Sequence, residues 1–157
     1  MTNKEIKIAY LEYNSLSELD AEDRALAEAA IEATRLSYAP YSNFNVGAAV
    51  LFEDGDIVKG ANQENSAYPS GLCAERTALF YASASRPDKA MSAIAIAASQ
   101  NGELCAKPVT PCGACRQVMA QYQTKSKRPM RVILIGAEKI LRFDRIDDLL
   151  PLIFDIL

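Results

Sequence analysis

Histidine is absent from the 157 residues. Its absence removes the commonest general base and the commonest nitrogen ligand, so acid–base or metal chemistry must come from carboxylates and thiols. No apolar stretch approaches the roughly 18 residues of a membrane span. The opening "MTNKEIKIAYLEYNSL" also lacks the basic start and long apolar run of a secretory leader. No membrane partner is expected. Cysteine is sparse: Cys73, Cys105, Cys112 and Cys115 are too few and too unevenly spaced for a secreted disulfide framework. Reduced thiols and a cytoplasmic setting follow as expectations. Positive charge is short as well, with 17 Lys and Arg against 20 Asp and Glu and a net charge of −3. Proteins that track phosphate backbones carry a basic face, and the single basic run here, "KSKRPMR" at 125–131, reads as a solvated loop. A nucleic-acid partner is therefore not expected, and a small-molecule substrate is.

What the chain does contain is a hydrophobic half, enough for a single domain over 1–157 with a substantial core. Residues 20–38 carry Leu26, Ala30 and Ala33 near helical spacing, with acids in the first turn, and predict an amphipathic helix ending before Pro40. Two apolar runs around Asp54-Gly55 predict a hairpin with strands at about 45–52 and 56–62. A helix is expected over 73–85, a buried strand over 92–99, a helix from Gly113 and a second buried strand over 131–137. "NGELCAKPVTP" reads as a loop, and the tail as a short strand or turn followed by a short helical segment at Pro151. This order predicts an α/β fold, a mixed sheet with helices on both faces.

The chemistry gathers at two helix starts. "PCGAC" places Cys112 and Cys115 three apart, so both sulfurs project from one face of a first helical turn. "GLCAER" places Cys73 at another helix start, where the dipole favours a thiolate, and Glu75 two residues later. If the two starts meet, three thiolates can hold one tetrahedral zinc with a position left for water, and Glu75 can stand beside it as a base without being a ligand. A closed structural site completed by Cys105, only seven residues before Cys112, is the alternative. Cys-x-Glu followed by Pro-Cys-x-x-Cys is also the signature of zinc deaminases.

Beyond that signature, "YAPYSNFNVGAA" (38–49), "GANQEN" (60–65), "AYPSGLCAERTA" (67–78), "PCGACRQV" (111–118) and "LLPLIF" (149–154) occur in one order and spacing. In these the chain resembles the small homotetrameric cytidine deaminases. The resemblance implies a three-layer α/β/α fold with a five-stranded mixed sheet, one zinc per chain, and conversion of cytidine or 2′-deoxycytidine to the uracil nucleoside with release of ammonia. It implies Cys73, Cys112 and Cys115 as zinc ligands, Glu75 as the proton shuttle, and Arg76 as donor to the thiolates. It further implies Asn62 and Glu64 on a ribose hydroxyl, Phe44 against the base, backbone groups of Ala74 and near Pro111 on the pyrimidine edge, and Tyr68 and Phe154 reaching a neighbouring subunit's site. The chain departs from the family at Ser66-Ala67 and at "MAQYQ" after "CRQV". Another substrate, a base within nucleic acid or the nucleoside antibiotic blasticidin S, is the rival reading. The acidic charge disfavours the first, and the Asn62–Glu64 pair disfavours the second.

Overall fold

The computed structural model describes residues 1–155. Asp20 opens the first helix, its carboxylate accepting a 2.8 Å bond from the Asp23 amide, and α1 runs Ala21–Ala33 before tightening into a 3-10 turn at Thr34–Leu36. The helix expected over 20–38 is therefore shorter, because Ser37 and Tyr38 already run extended toward the loop at Pro40. Seven strands follow the chain: β1 Leu11–Tyr13, β2 Phe44–Phe52, β3 Ile57–Ala61, β4 Met91–Gln100, β5 Glu103–Leu104, β6 Arg131–Ile135 and β7 Ile140–Phe143. They form one sheet in the order β1-β7-β6-β4-β2-β3, with β5 pairing β4 off this path. Two more helices, α2 Ala74–Ser85 and α3 Gly113–Ser126, complete the fold.

The expected five-stranded sheet is thus a correction. Five strands of four or more residues carry it, and β1 and β5 add two short ones. The loop expected after β4 contains β5 because Asn101 and Gly102 both take positive φ, 55° and 84°, turning the chain back on itself. An Asn-Gly pair is a strong hairpin signal in its own right. In the tail, a 3-10 turn at Ile146–Asp148 precedes Leu149, and residues 150–155 form no helix, so the helical segment expected at Pro151 does not form there. That expectation also covered residues 156–157, which lie outside the described residues.

Strand alternation sorts the core into two layers. Ala49, Leu51, Ala93, Ala95, Ile133 and Ile135 face α1, while Ala48, Val50, Ile94, Ile96, Val132 and Leu134 face α2 and α3. Strands β4 and β6 are parallel, and on one face α2 leads into β4 and α3 into β6. Both helices therefore begin at the end of the sheet where these strands finish, which is where open α/β sheets place their ligands. Asp23 is fully buried and bonded by Arg131 at 3.0 Å, with Arg142 at 3.1 Å, so this first-turn acid ties α1 to β6 and β7. Arg131, last residue of the basic run, is thereby withdrawn from any cationic patch, and Arg128 is paired with Glu53.

Each helical layer meets the β2–β3 hairpin at a glycine. A Cβ on Gly47 would lie 2.2 Å from the Ala30 carbonyl of α1, and one on Gly60 would lie 2.5 Å from the Ala78 amide of α2. Because both obstacles are backbone, a methyl group there forces the helix off the sheet. Gly60→Ala is expected to destabilise the protein by about 1–3 kcal/mol, the usual scale of overpacking. It should also lower zinc retention, since α2 carries Cys73 at its start. Thermal denaturation and metal analysis check this, and an unchanged Tm would refute the close contact.

Candidate metal centre and substrate pocket

Cys73 and Cys112 occupy the N-cap positions of α2 and α3, and neither helix has a side-chain cap. A cap normally satisfies one of the free first-turn amides. Here a sulfur takes that place, and the positive ends of both helix dipoles point at the same spot. Cys115, one turn into α3, is fully buried. The Sγ atoms of Cys73, Cys112 and Cys115 lie within 4.8 Å of one another, and those of Cys112 and Cys115 are 3.7 Å apart. A zinc ion about 2.3 Å from each sulfur in tetrahedral geometry would set them roughly 3.8 Å apart. The donor set and its spacing fit zinc. Cys105 is not in this group: its amide bonds the Ala98 carbonyl and its carbonyl accepts from the Ala137 amide. The four-cysteine alternative therefore fails on placement.

The electrostatics follow from crowding three sulfurs together. Cys73 is brought down to about 5, first by the hydrogen bond from Cys115 and then by Arg76, whose Nη2 stands 3.5 Å from its sulfur. Cys115, donor of that bond and desolvated, is pushed up. With zinc present, all three act as thiolates, and their summed charge with the ion is −1. Arg76 and the two helix starts oppose that excess. Arg76 Nε is buried with no hydrogen-bond partner among the described residues, while its Nη2 faces the Cys73 sulfur. Glu75, 6% exposed, has its carboxyl raised above the ordinary range, first by burial and further by the neighbouring Cys73 charge. A bond from its own amide pulls the other way.

Beside Cys73 and Arg76 opens a cavity of about 400 Å³, walled also by Tyr41, Asn62, Glu64 and Tyr68. That volume suits a nucleoside-sized ligand. Asn62 and Glu64 both line it, from just beyond the end of β3. β3 ends at Ala61, and the next residues leave the strand to bridge Tyr38 and Leu72 through Gln63. Asn62 Oδ1 accepts from Ser37 Oγ and the Val46 amide, and its Nδ2 donates to the Phe44 carbonyl at 2.9 Å. Glu64 accepts from the Tyr41 and Ser42 amides and from the Ser42 hydroxyl, which keep its carboxyl below the usual range, the hydroxyl being the largest cause. Sequence reasoning missed Ser37, Tyr41 and Ser42, although they stand in and beside the quoted "YAPYSNF". It also missed Arg116, which donates to the Pro111 and Leu149 carbonyls and so fixes the approach to Cys112.

Of the remaining expected residues, Tyr68 lines this cavity, and Ala74, Phe44 and Phe154 do not. Ala74 is fully buried at the start of α2. Phe44 opens β2, its amide held by Ser42 Oγ. Tyr68 packs edge-on against Tyr41 at the mouth, with ring centroids 6.2 Å apart. Phe154 is 73% exposed, yet its backbone is bonded at both N–H and C=O to the Gln117 side chain.

Residues 20–128 match the family model described as the cytidine and deoxycytidylate deaminase zinc-binding region. The chain belongs to this family. A cytidine deaminase of Halalkalibacterium halodurans is 52% identical over 97 residues, which cover 61% of this chain and 68% of that protein. One from Sporosarcina psychrophila is 50% identical over 91 residues, 58% of this chain and 62% of that protein. The matched segment therefore spans about two thirds of the length of these relatives. Among solved structures, the cytidine deaminase of Burkholderia pseudomallei aligns with a TM-score of 0.69 at 42% identity, over 83% of this chain and 97% of that one.

As a member of this family with three converging thiols, the chain binds one zinc ion. Because Arg76 opposes the excess negative charge of the site, Arg76→Ala is expected to weaken zinc binding by about 10–100-fold, the scale usual for groups that support metal ligands. Competition with a chromogenic chelator measures it. Full zinc affinity in that variant would show the contact with Cys73 to be incidental.

Proposed function

We propose that the chain is a zinc-dependent hydrolytic deaminase that converts cytidine and 2′-deoxycytidine to uridine and 2′-deoxyuridine with release of ammonia, a reaction of pyrimidine salvage. One juxtaposition carries the reading. Cys73, one of three clustered thiols, and Arg76 line a nucleoside-sized cavity that the fixed pair Asn62 and Glu64 also lines.

A bound zinc, held by Cys73, Cys112 and Cys115, supplies the activation that lets water act as a nucleophile at neutral pH. The chain's own work is done by Glu75. Its carboxylate accepts a proton from the attacking water and passes it to N3 of the pyrimidine. It then takes the remaining proton and delivers it to the departing amine at C4, so that water and cytidine leave as uridine and ammonia. Burial suits this shuttle, because it keeps bulk water from competing for the proton and raises the carboxyl toward the working range. The family resemblance puts the backbone of Ala74 and that near Pro111 on the pyrimidine edge and Phe44 against the base, although none of the three lines the cavity of the single chain.

Glu64 is supported as the sugar-binding group by its three donors from Tyr41 and Ser42, which fix the carboxylate without exhausting its acceptor capacity. Asn62, bound to β2 through both of its polar atoms, keeps one Nδ2 hydrogen for the same hydroxyl. We read residues 1–157 as a single domain, supported by one sheet with a core on each face. A reducing compartment such as the cytoplasm suits metal-binding thiols, and no helix among the described residues is long and apolar enough to cross a membrane.

The assembly proposed is a homotetramer with shared sites. Phe154 supports it, being anchored through its backbone to Gln117 of α3 while its side chain is left exposed, as one donated to a neighbour would be. The neighbouring Leu152 is also 81% exposed.

Two experiments test this reading. Glu75→Gln is expected to retain one zinc per chain and the fold while losing at least ~10²–10⁴-fold in ammonia release from cytidine, the range for a positioned acid–base group. Near-normal turnover would exclude Glu75 as the shuttle, and release from blasticidin S or cytosine but not cytidine would overturn the substrate. Separately, mixing Glu75→Ala chains with Phe154→Ala chains is expected to recover activity that neither has alone, since some sites then combine an intact Glu75 with an intact Phe154. A fully active monomer in light scattering would remove the shared-site arrangement.

A further inference from the structure

Residues 1–10 lie outside every helix and strand, and all are exposed, with Ile6, Ile8 and Tyr10 at 60%, 55% and 54%. They lead into β1, the edge strand of the sheet, whose partner on one side is β7. Leu11 pairs with Arg142, so the preceding Tyr10 follows opposite Phe143, and their rings meet at 5.4 Å. Phe143 faces the α2–α3 core. Continued as a strand, the arm would carry Ile8 and Ile6 along that same side by the two-residue period, past the end of β7; both are exposed in the chain. An edge strand with an apolar face is a template for pairing.

The sequence of this arm says which partner fits. When "KEIKIAYLE" (4–12) is laid antiparallel against itself and centred on Ile8, Lys4 stands opposite Glu12, Ile6 opposite Tyr10 and Ile8 opposite Ile8, all on one face. On the other face Glu5 meets Leu11 and Lys7 meets Ala9, so no like charges oppose one another. Neighbouring registers are worse: centring on Lys7 sets that lysine against its own copy, and centring on Ala9 sets Ile6 against Glu12. Glu12 already bonds Lys139 of its own chain, so a second lysine there completes a Lys–Glu–Lys cluster. We infer that residues 4–12 pair antiparallel with the same residues of a second copy, centred on Ile8, joining two sheets edge to edge across a two-fold axis. The second copy uses the free edge of β1, so the β1–β7 pairing is kept.

This inference does not depend on the deaminase reading, and its test does not measure activity. Directly opposed residues of an antiparallel pair lie within disulfide reach. In full-length zinc-loaded protein treated with oxidised glutathione, Ile8→Cys is expected to convert most of the chain to a covalent dimer on a non-reducing gel. The unsubstituted protein, Ile6→Cys and Tyr10→Cys should each stay monomeric on the gel. The double variant Ile6→Cys/Tyr10→Cys should cross-link, because each cysteine then faces the other in the second copy. Ile6 and Ile8 are exposed, so changes there leave the folded body intact, and Tyr10→Cys gives up only the ring contact with Phe143. Absence of the Ile8→Cys dimer, or cross-linking of Ile6→Cys as readily as Ile8→Cys, would overturn the pairing.

Discussion

Three sulfurs that share one metal ion carry more negative charge than it can neutralise, and the fold is arranged around that excess. Two helices begin at the same end of the sheet, and each presents its uncapped amides to a cysteine standing where a capping oxygen would usually be. Arg76 adds a full positive charge 3.5 Å from Cys73. In a histidine-ligated site, neutral ligands would leave the ion's charge undiminished and these supports would matter less. Here the chain has no histidine to use. The parallel pairing of β4 with β6 is what makes the arrangement possible, because it starts α2 and α3 at one edge. Close glycine contacts then fix how near the helical layers approach.

The same crowding makes Glu75 useful. Buried beside a thiolate, its carboxyl binds a proton more readily than one in water, so a single group can both accept and return protons. Glu64, which lines the cavity, follows the reverse logic. It is half-buried, surrounded by donors and held ionised, which suits a group that accepts a hydrogen bond from a hydroxyl and does not itself react. Two glutamates eleven residues apart thus have contrasting roles, decided by their surroundings.

Much of the site was legible in the sequence because its chemistry is local. Cys112 and Cys115 share a helical turn, Cys73 and Glu75 share another, and the proline and glycine punctuation around them marks both helix starts. These residues pointed to the metal type and the class of reaction. The Asp54-Gly55 hairpin and the buried runs of β4 and β6 were equally plain. The Asn101-Gly102 turn was legible too, but its strands are so short that no alternation announced them.

What the tertiary structure decided depends on contacts between distant segments. Cys105, closer in sequence to Cys112 than Cys73 is, stays out of the thiol cluster, its backbone bonded instead to Ala98 and Ala137. Asn62 is occupied by Phe44 and Val46, and Glu64 by Tyr41 and Ser42, partners about twenty residues away. Asp23, which reads as an ordinary helix-start acid, is buried between arginines more than a hundred residues on. The strand β1 pairs residues 11–13 with 140–142, near the two ends of the chain. A sequence pattern reports what a residue prefers within a turn or a strand. Which surface it then meets depends on how the sheet is ordered, and that follows from burial summed over the whole chain.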